Sequence, residues 1–520
     1  MNKSSRKSSS TARDLLSRLA SAALFAGPSL AQAADTYFDL NGATPGFGDY
    51  SVGGSNNWAS GATNWTTSSA GDIATSAWVS GNAAIFDYAN SSNANGSVRV
   101  SALEATPGNV AGISLINNTN NRTFTVGNGF VSALNLTIVG SSAVNITSGA
   151  FRLGNLINLQ GSYTKTGAGD LQFTGTGGNA YSGTATLSAG RIVLENSVTG
   201  GLVGGIGANS NFVVNAGTLG LMSNTGTYVI GSLSGSGGTI STGQDAVANN
   251  GSTHTLQVNQ ATSGTYAGTI TQESTSRVLA LTKQGASTLT LSGSHTYTGA
   301  TTINAGTLLV SSTGSIGAGS AVAVNSGGTL AGTGNVNGTV TVNNGGTLSP
   351  GNSPGLQNLG SLALNNGGNY NWQILNAAGV AGTGYDSHNL SGTLDLSGLT
   401  GAADFNLNLW SLASIGPDVN GDALNFINTQ DYTWTLIATG FAITGFDATE
   451  FTVNLGAING TGGFSNALDG SFAVNLGDGG TDLVLTYTAI PEPATYLLLA
   501  GGLMTLLFRR RRIRSFEPSR

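Results

Sequence analysis

The stretch Leu281 to Val310, LTKQGASTLTLSGSHTYTGATTINAGTLLV, consists of short alternating runs separated by small turn residues. In Thr288-Leu289-Thr290-Leu291 the leucines fall on one face and the threonines on the other, the period-two pattern of a half-buried strand. Gly and Asn recur between the runs, where the chain has to turn and positive φ is needed. A unit of this kind cannot close its own apolar face. It is stable only when stacked on neighbours that bury it, as in β-helices and other solenoids.

The rest of the chain repeats the theme. Thr164-Lys165-Thr166-Gly167-Ala168-Gly169-Asp170-Leu171 parallels Thr282-Lys283-Gln284-Gly285-Ala286-Ser287-Thr288-Leu289, and Tyr181-Ser182-Gly183 parallels Tyr297-Thr298-Gly299. Ala189-Gly190 matches Ala305-Gly306, and Asn-x-Gly-Thr-Leu echoes end at Leu219, Leu308, Leu330 and Leu348, the last two intervals being 22 and 18 residues. That spacing fits one turn of a β-coil, with stacked corners forming Asn ladders. These segments resemble the autotransporter-associated β-strand repeat: a Lys-containing start, a Leu-rich strand, a Tyr-Thr-Gly turn and an Asn-Ala-Gly-Thr-Leu close. Residues 282 to 310 fit it well, and the copy at 164 to 194 is looser. The resemblance implies a right-handed parallel β-helix, or β-solenoid, in a secreted or surface protein. The expected fold is therefore all-β, with β-rich end regions flanking the coil and a hydrophobic helix at the C-terminus.

Composition agrees with an ordered, polar-coated β chain. Of 520 residues, 39% are hydrophobic and only 8% charged, with 80 Gly and 9 Pro; disordered chains carry high net charge and few β-branched residues. Cysteine is absent, which removes disulfides and thiolate metal sites. Eleven of the 18 basic residues lie in Lys3 to Arg18 and Arg509 to Arg520, leaving seven against 22 acids in the body, about −15. A Lys-poor acidic body lacks the clustered cations that nucleic-acid backbones require.

Both ends read as addresses. Lys3, Arg6, Lys7, Arg13 and Arg18, the apolar Leu19 to Ala26, and the small-residue site Ala31-Gln32-Ala33 make residues 1–33 a signal peptide for Sec-type export, cut after Ala33. Residues 34–110 hold Trp58, Trp65 and Trp78, read as apolar anchors capping the first open rung, with a sugar-stacking platform as the alternative. Residues 111–355 are the β-helix repeats and 356–489 a second β region, too short for a large outer-membrane barrel. In 490–520, Pro491-Glu492-Pro493 precedes the apolar run Ala494 to Phe508 and then Arg509-Arg510-Arg511-Arg512. Fifteen helical residues reach about 22 Å against a hydrocarbon core of about 30 Å, so this is a short transmembrane helix whose arginines stay cytoplasmic. The ending resembles the PEP-CTERM sorting signal. That resemblance implies a Gram-negative exporter, an exosortase-type processing enzyme, transient inner-membrane anchoring, and delivery to the cell surface or matrix of an exopolysaccharide-producing bacterium.

Several constellations imitate chemistry. Gly351-Asn352-Ser353-Pro354-Gly355 satisfies G-x-S-x-G, but Pro354 follows the Ser and the only later histidine is His388, so it reads as a turn closing the repeats. Asp418-Val419-Asn420-Gly421-Asp422 has calcium-loop oxygen spacing, yet Gly comes one place early and Thr429 stands where a bidentate Glu belongs; an acidic surface turn is expected. His254, His295 and His388 lie among Thr and Ser without metal-ligand spacing and are expected to be exposed. Lys165 and Lys283 share one repeat position, which points to structure rather than to a lyase base. No catalytic, cofactor or metal residue is nominated. The expectation is an exported non-enzymatic structural or adhesin-like protein, with exopolysaccharide as a candidate partner. The alternative is a polysaccharide lyase or hydrolase on the same scaffold.

Overall fold

The computed structural model describes residues 34–39, 56–58, 63–70, 73–79, 82–87, 98–103, 109–110, 112–116, 123–126 and 134–138. It also describes 142–490 apart from 155–156, 175–180, 197–205, 224–225, 243–251, 352–353, 402–403, 417 and 458–461. Among these residues the fold is all-β, with four sheets of 12, 9, 14 and 9 strands and two short 3-10 turns at Ala448–Glu450 and Asp478–Gly480. Most neighbouring strands run parallel and are joined through the other faces of the coil, as in a β-solenoid. The C-terminal helix expected over Ala494 to Phe508 lies outside the described residues. Among those described, no helix is long and apolar enough to cross a membrane.

Register shows why the repeat folds this way. Leu289 pairs with Leu308, Leu308 with Leu330, Leu330 with Leu348, Leu348 with Tyr370, and Tyr370 with Leu407, so one core column is filled by successive echoes. Each of these side chains is buried. A second column, Leu281, Thr301, Val322, Val340, Leu362 and Leu394, runs up the adjacent face. Fully burying a Leu or Val stabilises by about 1.5–3 kcal/mol, so the stacked columns supply the cohesion that one rung lacks. The four sheets share one continuous hydrophobic cluster from Phe38 to Tyr487.

Corners use glycine where the backbone leaves no choice. Gly306 has φ +61, and a Cβ there would stand 2.5 Å from the carbonyl oxygen of Gly285 one rung below. Beside these corners runs the expected Asn ladder: the Asn325 amide donates to Asn304 at 2.8 Å, Asn343 to Asn325 at 2.8 Å, and Asn365 to Asn343 at 2.9 Å.

The ends depart from the regular coil. Near the N-terminus Asp35–Phe38 pairs antiparallel with Trp65–Thr66 and parallel with Ala83–Asp87. Trp65 and Trp78 are buried, their ring centroids 4.6 Å apart, and Trp65 also packs on Phe38 and Phe86; they offer no open stacking surface. At the other end Tyr432–Thr439, Asp482–Ala489 and Gly470–Gly477 form an antiparallel sheet that closes the stack. The tight Asp478–Gly480 connection permits that reversal, because antiparallel strands alone can be joined by so short a link.

Candidate functional site

The described body holds two cations in its core, and both serve the same turn. On Arg277–Lys283 the inward positions are Leu279, Leu281 and Lys283, so period-two alternation buries the lysine just before the corner at Gly285. Its Nζ donates to the carbonyls of Gln284 at 2.9 Å, Gly285 at 2.8 Å and Ala305 of the next rung at 2.9 Å. Lys165 does the same with Thr166 at 2.7 Å, Gly167 at 2.9 Å and Ala189 at 3.3 Å. Three ammonium donors thereby satisfy three core-facing carbonyls that the corner cannot pair. Burial pushes both ammonium groups down to about 8, with Asp170 opposing the drop at Lys165. Both remain charged at neutral pH. Each ammonium thus has all three of its donors engaged with the corner.

The histidines differ from the sequence expectation. His254, His295 and His388 are all buried, not exposed. The cause is strand parity: His254 precedes Leu256 and Val258 by even steps, and His388 precedes Leu390 likewise, so both face inward, as does His295 next to the exposed Ser294. His254 pairs with Leu279 across the ladder, and His295 with Ile316. The His295 Nδ1 accepts the Ile270 N–H at 3.1 Å, which fixes a neutral tautomer, and the ring stacks on Tyr266. The His388 Nδ1 stands 3.2 Å from the Tyr370 hydroxyl. Burial pushes His295 down to about 4 and His388 to about 3. They are separate core residues; among the described residues no group of three or more His, Cys, Asp or Glu side chains is placed to hold a metal.

The motif-like segments are likewise structural where described. Asn352 and Ser353 lie outside the described residues, but Gly351 and Gly355 flank the buried Asp386, whose carboxylate accepts the Gly355 N–H at 2.6 Å and the Gln373 N–H at 3.0 Å. Burial raises the Asp386 pKa, and the two N–H groups oppose it. Asp418 is exposed on the hairpin formed with Val419–Asn420 and accepts the Gln373 side chain at 3.2 Å; the Asn420 amide donates to Ser411 and Gly463 carbonyls. A shallow depression of about 420 Å³ is lined by Ser148, Gly149, Asp170, Gln172 and Arg191. There Arg191 binds Asp170 through two nitrogens, with Nε–Oδ1 at 2.8 Å, so its charges are engaged with each other.

One face of the coil is lined by neutral polar side chains. Thr307, Thr329, Thr347, Asn369, Asn406 and Thr452 form one half-buried column across successive rungs. Beside it Asn408 donates to Asn371 and Asn454 to Asn408, both at 2.9 Å.

Residues 164–194 and 281–310 match the family model of the passenger-associated-transport-repeat, and residues 489–512 match the PEP-CTERM protein-sorting motif. The chain carries both elements. Both fall where the repeat and tail resemblances place them. Over 204 residues, 36% of this chain, it is 33% identical to the adhesin BmaC autotransporter of Brucella suis biovar 1. That match spans only 5% of the length of the curated relative. The signal-cleavage residues Ala31 and Ala33, the sorting residues Pro491, Glu492 and Pro493, and the basic run Arg509 to Arg512 lie outside the described residues.

Proposed function

We propose that this chain is an exported, non-enzymatic, adhesin-like structural protein of a Gram-negative bacterium. It is secreted through the Sec machinery after cleavage behind Ala33, and the tail holds it briefly in the inner membrane. An exosortase-type enzyme acts at Pro491-Glu492-Pro493, with Arg509 to Arg512 as the cytoplasmic stop, and the body is delivered to the surface or matrix. Its units are the signal peptide 1–33, a β cap 34–110, right-handed repeats 111–355, a C-terminal β region 356–489 and the sorting tail 490–520. Right-handedness follows from the general preference of parallel crossovers. The match of the tail to a sorting motif carries the reading. The likeness to an adhesin autotransporter and the engagement of both core lysines in corner hydrogen bonds support a scaffold over an enzyme. Neutral Thr and Asn columns suit contact with exopolysaccharide through hydrogen bonds rather than charge.

Replacing Pro491, Glu492 and Pro493 together by Ala tests the sorting role. The expected result is a protein that keeps its tail by mass and stays in the inner-membrane fraction. Unchanged C-terminal mass and location would refute it. Catalytic cleavage of acidic or neutral polysaccharides by the purified protein would refute the non-enzymatic reading.

A further inference from the structure

Exposed apolar side chains are distributed unevenly along the described body. Between Val79 and Val380 no large hydrophobic residue is exposed among the described residues, whereas nine are exposed from Val380 to Ile490. Five of these lie on segments that hydrogen bonds link to the point where the chain leaves for its tail. Ile490 is 60% exposed, and its N–H donates to the Asp469 carbonyl at 2.8 Å, which sets Leu468 beside it. The preceding Ala489 N–H is held by the Asp431 carboxylate at 2.9 Å, so the exit is pinned to the body. Tyr487 ties the same corner to Asn428 at 2.8 Å, next to Ile427, which is 55% exposed. Tyr432 then bridges the Ile427 N–H and the Asn425 carbonyl, and Asn425 reaches Asn376, bringing in Leu424 and the Val380 loop.

From these contacts we infer that the rim of Val380, Leu424, Ile427, Leu468 and Ile490 is a membrane-contact surface, seated on the outward-facing leaflet of the inner membrane while the tail is attached. This rests on the tail reading above. Only Pro491, Glu492 and Pro493 separate Ile490 from the apolar run beginning at Ala494. Three residues span roughly 10 Å at most when extended, so a tail inserted in hydrocarbon brings the exit corner into the headgroup zone. Exposed aliphatic side chains on loops gain by entering that zone, and a membrane-bound tail supplies the high local concentration that makes so small a contact effective. The lipid it fits is uncharged overall. No basic residue occurs between Lys283 and Arg509, while Asp431 and Asp469 sit at the corner, so anionic headgroups repel it.

The absence of cysteine makes the test direct, because one introduced thiol can be labelled uniquely. The full chain is inserted into phosphatidylcholine vesicles containing brominated lipid, with a fluorophore on Leu424→Cys, Ile427→Cys, Leu499→Cys in the tail, or Thr341→Cys on the outward face of the coil. The expected result is quenching at 424, 427 and 499 but not at 341. Quenching at 424 and 427 should fall when phosphatidylglycerol replaces part of the phosphatidylcholine, and vanish when the chain is ended at Ile490. Quenching at 499 without quenching at 424 and 427 overturns the rim proposal and leaves the tail reading standing. No quenching at 499 overturns both. Loss of quenching at 424 with concentration-dependent self-association would assign the rim to a second copy and overturn the membrane assignment.

Discussion

Replacing Lys283 by Met isolates what the buried ammonium contributes. The side chains have similar length, so the core column above Leu281 stays filled while three carbonyls, on Gln284, Gly285 and Ala305, lose their donor. Leaving a buried polar group unpaired costs about 1–3 kcal/mol, so three together cost about 6 kcal/mol at mid-range. Against this, the charge no longer has to be buried. The drop of Lys283 from 10.5 to about 8 puts that relief at about 3 kcal/mol. The difference, about 3 kcal/mol of destabilisation at pH 7, falls on one corner and the rung after it. Amide hydrogen exchange reads it locally: protection at Asn304, which donates to the Lys283 carbonyl, and at neighbouring Gly306 should fall by roughly two orders of magnitude. A Met variant exchanging like the parent at these amides would refute the clasp and reopen Lys283 as a residue held for other chemistry.

Acid should weaken the fold through its core histidines. His295 and His388 have folded-state pKa values of about 4 and about 3, below the ordinary 6.5, so the unfolded chain binds protons first. Stability is then intact above about pH 6.5 and declines as pH falls towards 4, by on the order of 3 kcal/mol for His295; Asp386, shifted up, works in the opposite sense. Urea midpoints measured at pH 7 and pH 4.5 check this, and His388→Phe should flatten the difference. Gly306→Ala should cost about 2 kcal/mol, since it adds left-handed strain to a Cβ only 2.5 Å from the Gly285 carbonyl, and should lower the thermal midpoint accordingly.

The coil was legible because its signal is periodic: Leu308, Leu330 and Leu348 stack at the spacing read from sequence, and Asn304, Asn325 and Asn343 form the ladder their corners imply. The histidines were misjudged by residue type, although their parity with Leu256, Val258 and Leu390 carried the answer. The antiparallel closure at Gly470–Gly477 and Asp482–Ala489 was not readable from alternation, which is the same in either direction; only the brevity of the Asp478–Gly480 turn encodes it. The apolar exit corner escaped because the Leu424–Ile427 segment is far in sequence from Leu468 and Ile490, and only the hydrogen bonds of Tyr432 and Tyr487 tie these segments to one another.

The aligned core column also sets where this protein can change. Leu308, Leu330, Leu348 and Tyr370 stay in register although the intervals between them are 22, 18 and 22 residues, and Leu407 still pairs with Tyr370 after 37. Length differences are absorbed entirely between faces. The coil therefore behaves as a rack with interchangeable shelves: a corner can gain a loop without moving the rungs on either side. The interval of 37 accommodates Asn376 and Val380, the start of the exit corner. New surface can thus evolve at the edges of this scaffold while its interior remains the same short phrase, repeated.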